Sequence, residues 1–148
     1  MRSPRLVAMD YLARREHTRV ELERKLLQKE FDAEEVRRVL DKLHEDNLQS
    51  DHRFAEHFAS QRIRTGHGPL KIKMELQAHG VCEEMIEELF QALTVDWQEL
   101  AQSVFERKYG ENSLSLDIQE KAKRQRFLQQ RGFTFEQIRK VLSCNIFV

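Results

Sequence analysis

Three stretches of this chain are variations on one pattern, and that repetition limits the fold more than any other feature. LERKLLQKEFDAEEVRRVL from Leu22, IKMELQAHGVCEEMIEELF from Ile72 and RQRFLQQRGFTFEQIRKVL from Arg124 align without a gap. Leu26, Leu76 and Leu128 coincide, as do Phe31, Val81 and Phe133; then Val36, Ile86 and Ile138; then Val39, Leu89 and Val141; then Leu40, Phe90 and Leu142. The period is about 50 residues, a spacing typical of supersecondary units that bury their apolar faces on their neighbours.

Local chemistry explains why each stretch looks the same. Gly80 and Gly132 stand where a helix ends and a left-handed residue is needed. A bulky apolar residue follows, then an N-cap position at Asp32, Cys82 or Thr134. Val36, Ile86 and Ile138 lie four residues beyond those caps, which completes the hydrophobic staple three times. Asp32 with Glu35, Thr134 with Gln137, Asp96 with Glu99 and Thr18 with Glu21 read as capping boxes. A further helix precedes each pair, over Leu6–Arg15, Phe54–Arg64 and Trp97–Tyr109. The expected fold is therefore all-α: three tandem three-helix repeats, spanning 1–48, 49–93 and 94–148, stacked into an elongated, curved array. Two positions break the pattern. Glu30 replaces the turn glycine, which predicts a differently shaped turn in the first repeat. Arg124 replaces Leu22 and Ile72, which predicts a wetter core in the third.

Composition agrees with helices. Of 148 residues 34% are charged, while five glycines and two prolines leave little material for strand turns. No apolar run approaches a membrane span of about 18 residues, and the N-terminus carries no secretory signal pattern, so no membrane partner is expected. Cys82 and Cys144 make no CxxC pair, which suits reduced thiols in a cytoplasmic protein. Nor do the histidines make a centre: His52 and His57 are about 140° apart around a helix, and no HExxH or paired Cys/His set occurs, so neither a metal nor another cofactor is expected. Gly66-His67-Gly68-Pro69 lacks the length and lysine of a phosphate loop; it reads as a helix stop followed by Pro69 at the first position of the next helix. Asp51 is expected to open the helix before it, with Phe54, Ala55 and Phe58 as core anchors. No catalytic residue is assigned, and the chain is not expected to be an enzyme.

The formal charge of zero conceals blocks. Arg62, Arg64, Lys71 and Lys73 run without an acid between Glu56 and Glu75, and Lys121, Lys123, Arg124, Arg126 and Arg131 do so between Glu120 and Glu136. Residues 81–100 hold six acids and no Lys or Arg. Two binding roles fit. A three-helix unit with a tight turn resembles helix-turn-helix DNA readers, although zero net charge limits affinity for free DNA. A helical array docking on a protein or nucleoprotein surface suits the alternating charge blocks better.

Ala13-Arg14-Arg15-Glu16-His17-Thr18 with Glu21-Leu22, Asp51-x-Arg53-Phe54-Ala55, Arg62 with Gly66-x-Gly68-Pro69, and Leu76-x-x-x-Gly80-Val81 resemble the signature of RecX, the bacterial recombination regulators. Asp96-Trp97, Arg107-Lys108-Tyr109-Gly110 and Arg126-Phe127-Leu128-x-x-Arg131-Gly132 are similar to that family's third unit. The resemblance implies a cytoplasmic, non-enzymatic monomer that binds RecA and the RecA–single-stranded DNA filament, in the filament groove, with at most weak direct DNA contact. It implies inhibition of filament growth, ATP hydrolysis, strand exchange and SOS coprotease activity. The basic residues assigned to that contact are Arg14, Arg15, Arg62, Arg64, Lys71, Lys73, Lys108, Lys121, Lys123, Arg124 and Arg126. Arg14, Arg15 and Arg62 belong to family motifs; Lys71 is also within reach of Glu75, one helical turn on.

Overall fold

The computed structural model describes residues 2–110 and 117–146, and among them every regular element is a helix. In chain order these are α1 (Pro4–Arg14), α2 (Arg19–Gln28), α3 (Ala33–Glu45), α4 (Asp51–Arg64), α5 (Pro69–Ala78), α6 (Glu83–Ala92), α7 (Trp97–Tyr109), α8 (Ile118–Arg131) and α9 (Phe135–Ile146). Three consecutive triplets result, as the repeat requires. No helix among the described residues is long and apolar enough to cross a membrane. Cys82 is an exposed thiol outside any disulfide, and the side chain of Cys144 lies outside the described residues.

The helix starts follow their caps. Ser3 accepts from the Leu6 amide at 3.2 Å and Pro4 occupies the first turn, so α1 begins ahead of Leu6. Likewise α4 begins at Asp51 and not at Phe54, but its cap is Ser50, whose Oγ accepts from the Arg53 amide at 3.1 Å. The Asp51 carboxylate is engaged elsewhere, as described below. Thr18 with Glu21 and Thr134 with Gln137 form reciprocal capping boxes. Asp32 and Asp96 accept from the amides of Glu35 and Glu99.

The turn between the second and third helix is the same in all three repeats. The amides of Phe31, Val81 and Phe133 donate to the carbonyls of Leu26, Leu76 and Leu128 at 3.4, 3.0 and 3.2 Å. Those of Glu30, Gly80 and Gly132 donate to Leu27, Gln77 and Gln129 at 2.9–3.0 Å. This closes the last helical turn in each case. Glu30 has φ 67°, beside 91° and 98° for the two glycines. The first turn is therefore not shaped differently, as Glu30 had implied; the side chain is carried in the left-handed region at a cost of about 1 kcal/mol.

Packing divides the chain into two compact units, Met1–Phe58 with Leu76–Gln91 and Ala59–Glu75 with Ala92–Val148, so the cut runs through the middle repeat. In the first unit Ala8, Leu22, Leu26, Val36, Leu40 and Leu43 form a closed core, with Phe31 and Val39 against it. In the second, Ala101, Val104, Phe105, Leu128, Phe133, Ile138 and Val141 do the same. Most residues that coincide in the repeat are buried, and Phe31, Val39, Phe90 and Leu142 are half-buried, because one amphipathic pattern serves every three-helix unit. Phe54 and Ala55 are buried as expected, and Phe58 is half-buried. Arg124 puts a charged, slightly exposed group where Leu22 and Ile72 are fully buried, so the third core is wetter there, but only slightly. Its side chain is only 12% exposed, its guanidinium lies 4.3 Å from the Tyr109 ring centroid and 5.7 Å from that of Phe105, and Nε donates to Glu120 at 3.1 Å. A cation stacked on two rings fills the place of Leu22 and Ile72.

Candidate functional site

Most motif residues of the first unit are joinery. The Thr18 hydroxyl donates to the carbonyl of His79 at 2.6 Å, linking the start of α2 to the end of α5. Asp51 Oδ1 accepts from the Arg19 amide and from Gln49 Nε2, each at 2.8 Å. Arg53 Nε donates to Glu16 at 2.6 Å while its terminal nitrogens donate to the carbonyls of Asn47 and Leu48. Arg15 pairs with Glu21 at 2.7 Å and donates to the Glu16 carbonyl at 2.8 Å. The bonds of Thr18, Asp51 and Arg53 Nε satisfy polar groups that the joint partly removes from bulk water, while those of Arg15 and of the Arg53 terminal nitrogens stay exposed.

His17 lies inside this network, only 2% exposed. Its Nδ1–H donates to the Arg15 carbonyl at 3.0 Å, so Nε2 is left to accept from the Lys25 ammonium at 3.1 Å. Burial, and then the cations Arg15 and Lys25, hold its pKa below the ordinary histidine value, against the opposing pull of the Arg15 carbonyl. For Glu21, burial alone would raise the pKa. The hydrogen bonds from Arg15 and Thr18, with the charges of Arg15 and His79, outweigh it and leave the carboxyl below its usual range.

The second unit contains an equivalent joint one repeat later. The Gly68 amide donates to the Arg131 carbonyl at 2.7 Å and the Leu70 amide to the Gly132 carbonyl at 2.9 Å. Arg131 Nη1 returns a bond to the Thr65 carbonyl at 2.9 Å. The start of α5 thus receives the end of α8 as α2 receives α5, with donors meeting orphan carbonyls. A Cβ on Gly68 would stand 2.5 Å from the Gly132 carbonyl group, and one on Gly132 would run into Lys71. Gly66-His67-Gly68-Pro69 is shaped by this approach of two backbones. The His67 pKa is lowered by burial first and then by Lys71, Arg131 and Arg62, although the Arg62 carbonyl opposes the shift.

The basic residues assigned from sequence fall into two groups. Arg15, Arg62 and Arg124 are half-committed to structure: Arg62 pairs with Glu75 at 2.8 Å, the role that proximity had suggested for Lys71. Arg14 at the end of α1, Arg64 at the end of α4, Lys73 on α5, Lys108 at the end of α7, and Lys123 and Arg126 on α8 are exposed; Lys71 and Lys121 are half-buried. In the second unit Lys108 and Arg131 lie 5.6 and 5.4 Å from the Phe127 ring centroid, and Tyr109 meets Phe127 edge-on at 5.6 Å. Among the described residues no group of His, Cys, Asp or Glu is placed to hold a metal ion.

Family comparison gives this joinery a context. Profiles for the first, second and third three-helix domains of RecX match residues 5–43, 50–89 and 95–142. A protein named Regulatory protein RecX from Pseudomonas savastanoi pv. phaseolicola is 42% identical over 139 residues, covering 94% of this chain and 89% of the relative. The chain belongs to the RecX family. The RecX protein of Chromohalobacter salexigens, also named as a regulatory protein, is 39% identical over 95% of this chain and 91% of its own length. The crystal structure of RecX from Lactobacillus salivarius superposes with a TM-score of 0.83 at 22% identity, covering 98% of this chain and 96% of that one, a likeness of fold. The RecX family is one of regulatory proteins, and the three-helix domains that define it coincide with the triplets α1–α3, α4–α6 and α7–α9.

Sequence reasoning did not foresee that Asp51 would meet the Arg19 amide or that Arg53 would meet Glu16. Pairings that span 32 and 37 residues leave no local periodicity to read. It also left Arg107, Phe127 and Arg131 out of the candidate set, although two of the quoted motifs contain them.

Proposed function

We propose that this chain regulates RecA by binding it and its filament on single-stranded DNA, limiting filament growth, ATP hydrolysis, strand exchange and SOS coprotease cleavage. It acts as a cytoplasmic monomer without catalysis of its own. Membership in the RecX family over all three repeats carries the reading. The exposed cations Arg14, Arg64, Lys73, Lys108, Lys123 and Arg126 supply contacts to an acidic protein surface or to phosphate. Several modest contacts on one chain raise avidity for a repetitive partner.

The helix-turn-helix alternative has a specific obstacle. A DNA reader of that kind directs the N-terminal turn of its second helix at base edges. Here the corresponding turns carry Glu34 and Glu35 in α3, Glu83 and Glu84 in α6, and Glu136 in α9. Carboxylates at those places oppose entry into a polyanionic groove.

The test is RecA's DNA-dependent ATPase with and without the chain. Wild type is expected to suppress turnover, and Arg64→Glu with Lys73→Glu to weaken suppression by at least about fivefold, about 1 kcal/mol. Arg62 is left untouched in that variant because of its pair with Glu75. Undiminished ATPase in the presence of wild type would sink the proposal.

A further inference from the structure

The second unit holds a small pocket of about 190 Å³ whose walls include Arg107, Lys108 and Arg131 around Phe127, with Gly66 and Val104 completing the enclosure. Among the described residues no carboxylate lines it. Three like charges kept this close normally disperse or recruit a counter-ion. Arg131 is held in place from below by its bond to the Thr65 carbonyl at 2.9 Å and lies 5.4 Å from the Phe127 ring centroid. Arg107 and Lys108 are exposed side chains in the last turn of α7. A side chain on Gly66 would approach Val104 to 2.9 Å and Arg131 to 3.5 Å, so the wall depends on the glycine. The depressed pKa of nearby His67, due first to burial and then to cations that include Arg131, agrees with a positive potential here.

We propose that this pocket binds the backbone of single-stranded nucleic acid: a phosphodiester taken by Arg107, Lys108 and Arg131, with the adjoining sugar or base against the Phe127 ring. A permanent anion suits a guanidinium–ammonium cluster, and an aromatic ring among cations is the combination that holds unpaired nucleotides without regard to sequence. Lys123 and Arg126, also exposed on α8, share a separate cleft with Asp117 and Glu120 and are not part of the site. A nucleotide can engage the three pocket cations through its phosphate and the ring through its sugar or base, whereas a lone carboxylate on a protein partner would leave the ring unused. The regulator reading enters only in that the RecA filament would present such a strand; the site itself is defined by affinity for bare oligonucleotide.

The probe is a 5′-fluorescein oligothymidylate of about 15 nucleotides, titrated by anisotropy across salt without RecA. Arg107→Glu with Lys108→Glu should weaken binding at least about tenfold and flatten the log–log salt slope by about 1. Arg37→Glu with Arg38→Glu, exposed on α3 of the first unit, makes the same change in net charge and should shift affinity less than about twofold. The neutral pair Arg107→Gln with Lys108→Gln gives the same ranking if the reversed pair melts at a lower temperature. Equal losses from both reversals would mean diffuse attraction and overturn the site. So would an unchanged oligonucleotide titration accompanied by weaker binding to RecA alone, which would assign the pocket to an acidic protein side chain. Failure of the wild-type chain to inhibit RecA would instead sink the regulator reading and leave this titration standing.

Discussion

Glu30 holds a conformation that its two counterparts give to glycine, with φ 67° and the same pair of turn hydrogen bonds. Glu30→Gly should therefore stabilise the protein by about 0.5–1 kcal/mol in urea denaturation, since the left-handed cost disappears and the exposed side chain adds little. A loss of stability would mean that the carboxylate contributes something the turn geometry does not express. His17 makes a pH prediction. Its folded pKa lies below the unfolded value of 6.5, so the unfolded chain takes up a proton first as pH falls. The stability it contributes is fully present above pH 6.5 and is lost as pH falls through the folded pKa. His67 shifts in the same direction and adds to the loss, while Glu21 acts below its own ordinary value of 4.5. Melting temperatures should drop between pH 7 and pH 5, and His17→Gln should shrink that drop. An identical pH profile in the variant would contradict the Lys25–His17 arrangement.

At the scale of elements the joints carry the argument. In each, the start of one repeat's second helix donates to the carbonyl end of the next repeat's second helix: Thr18 to His79, and Gly68 and Leu70 to Arg131 and Gly132. Gly68→Ala should cost about 2–3 kcal/mol, because the added carbon meets backbone at 2.5 Å and backbone cannot swing aside as a side-chain tip can. Thr18→Val should cost about 1–2 kcal/mol through the lost cap and the lost bond to His79. Chemical denaturation measures both, and a neutral Gly68→Ala would disprove the close approach. The triplets, the caps at Thr18, Asp32, Asp96 and Thr134 and the buried registers at Leu26, Leu76 and Leu128 were legible in the sequence, because helical period and capping chemistry act over a few residues. The joints were not. Asp51 read as a helix opener, yet its carboxylate reaches the Arg19 amide 32 positions away. Arg62 read as a contact residue, and it also pairs with Glu75 within its own unit. Charge blocks locate cations without telling which of them folding consumes.

For the whole molecule, a chain of no net charge must gain its affinity from complementarity with a patterned partner, since it has little uniform attraction to any polyanion. In the proposed function RecA and its filament are that partner, and the exposed cations Arg14, Arg64, Lys73, Lys108, Lys123 and Arg126 are proposed to meet it. Direct contact with a bare strand through the Phe127 pocket would be the weaker part of the binding. The chain should therefore prefer coated to bare strand, a preference measured by titrating it against RecA-coated single-stranded DNA and against the same DNA uncoated, over a range of salt. We expect binding to the coated strand to be at least about a hundredfold tighter at physiological ionic strength, about 2.7 kcal/mol, and to fall less steeply with salt. Equal affinity for both, or tight binding to naked duplex with a steep salt slope, would contradict it.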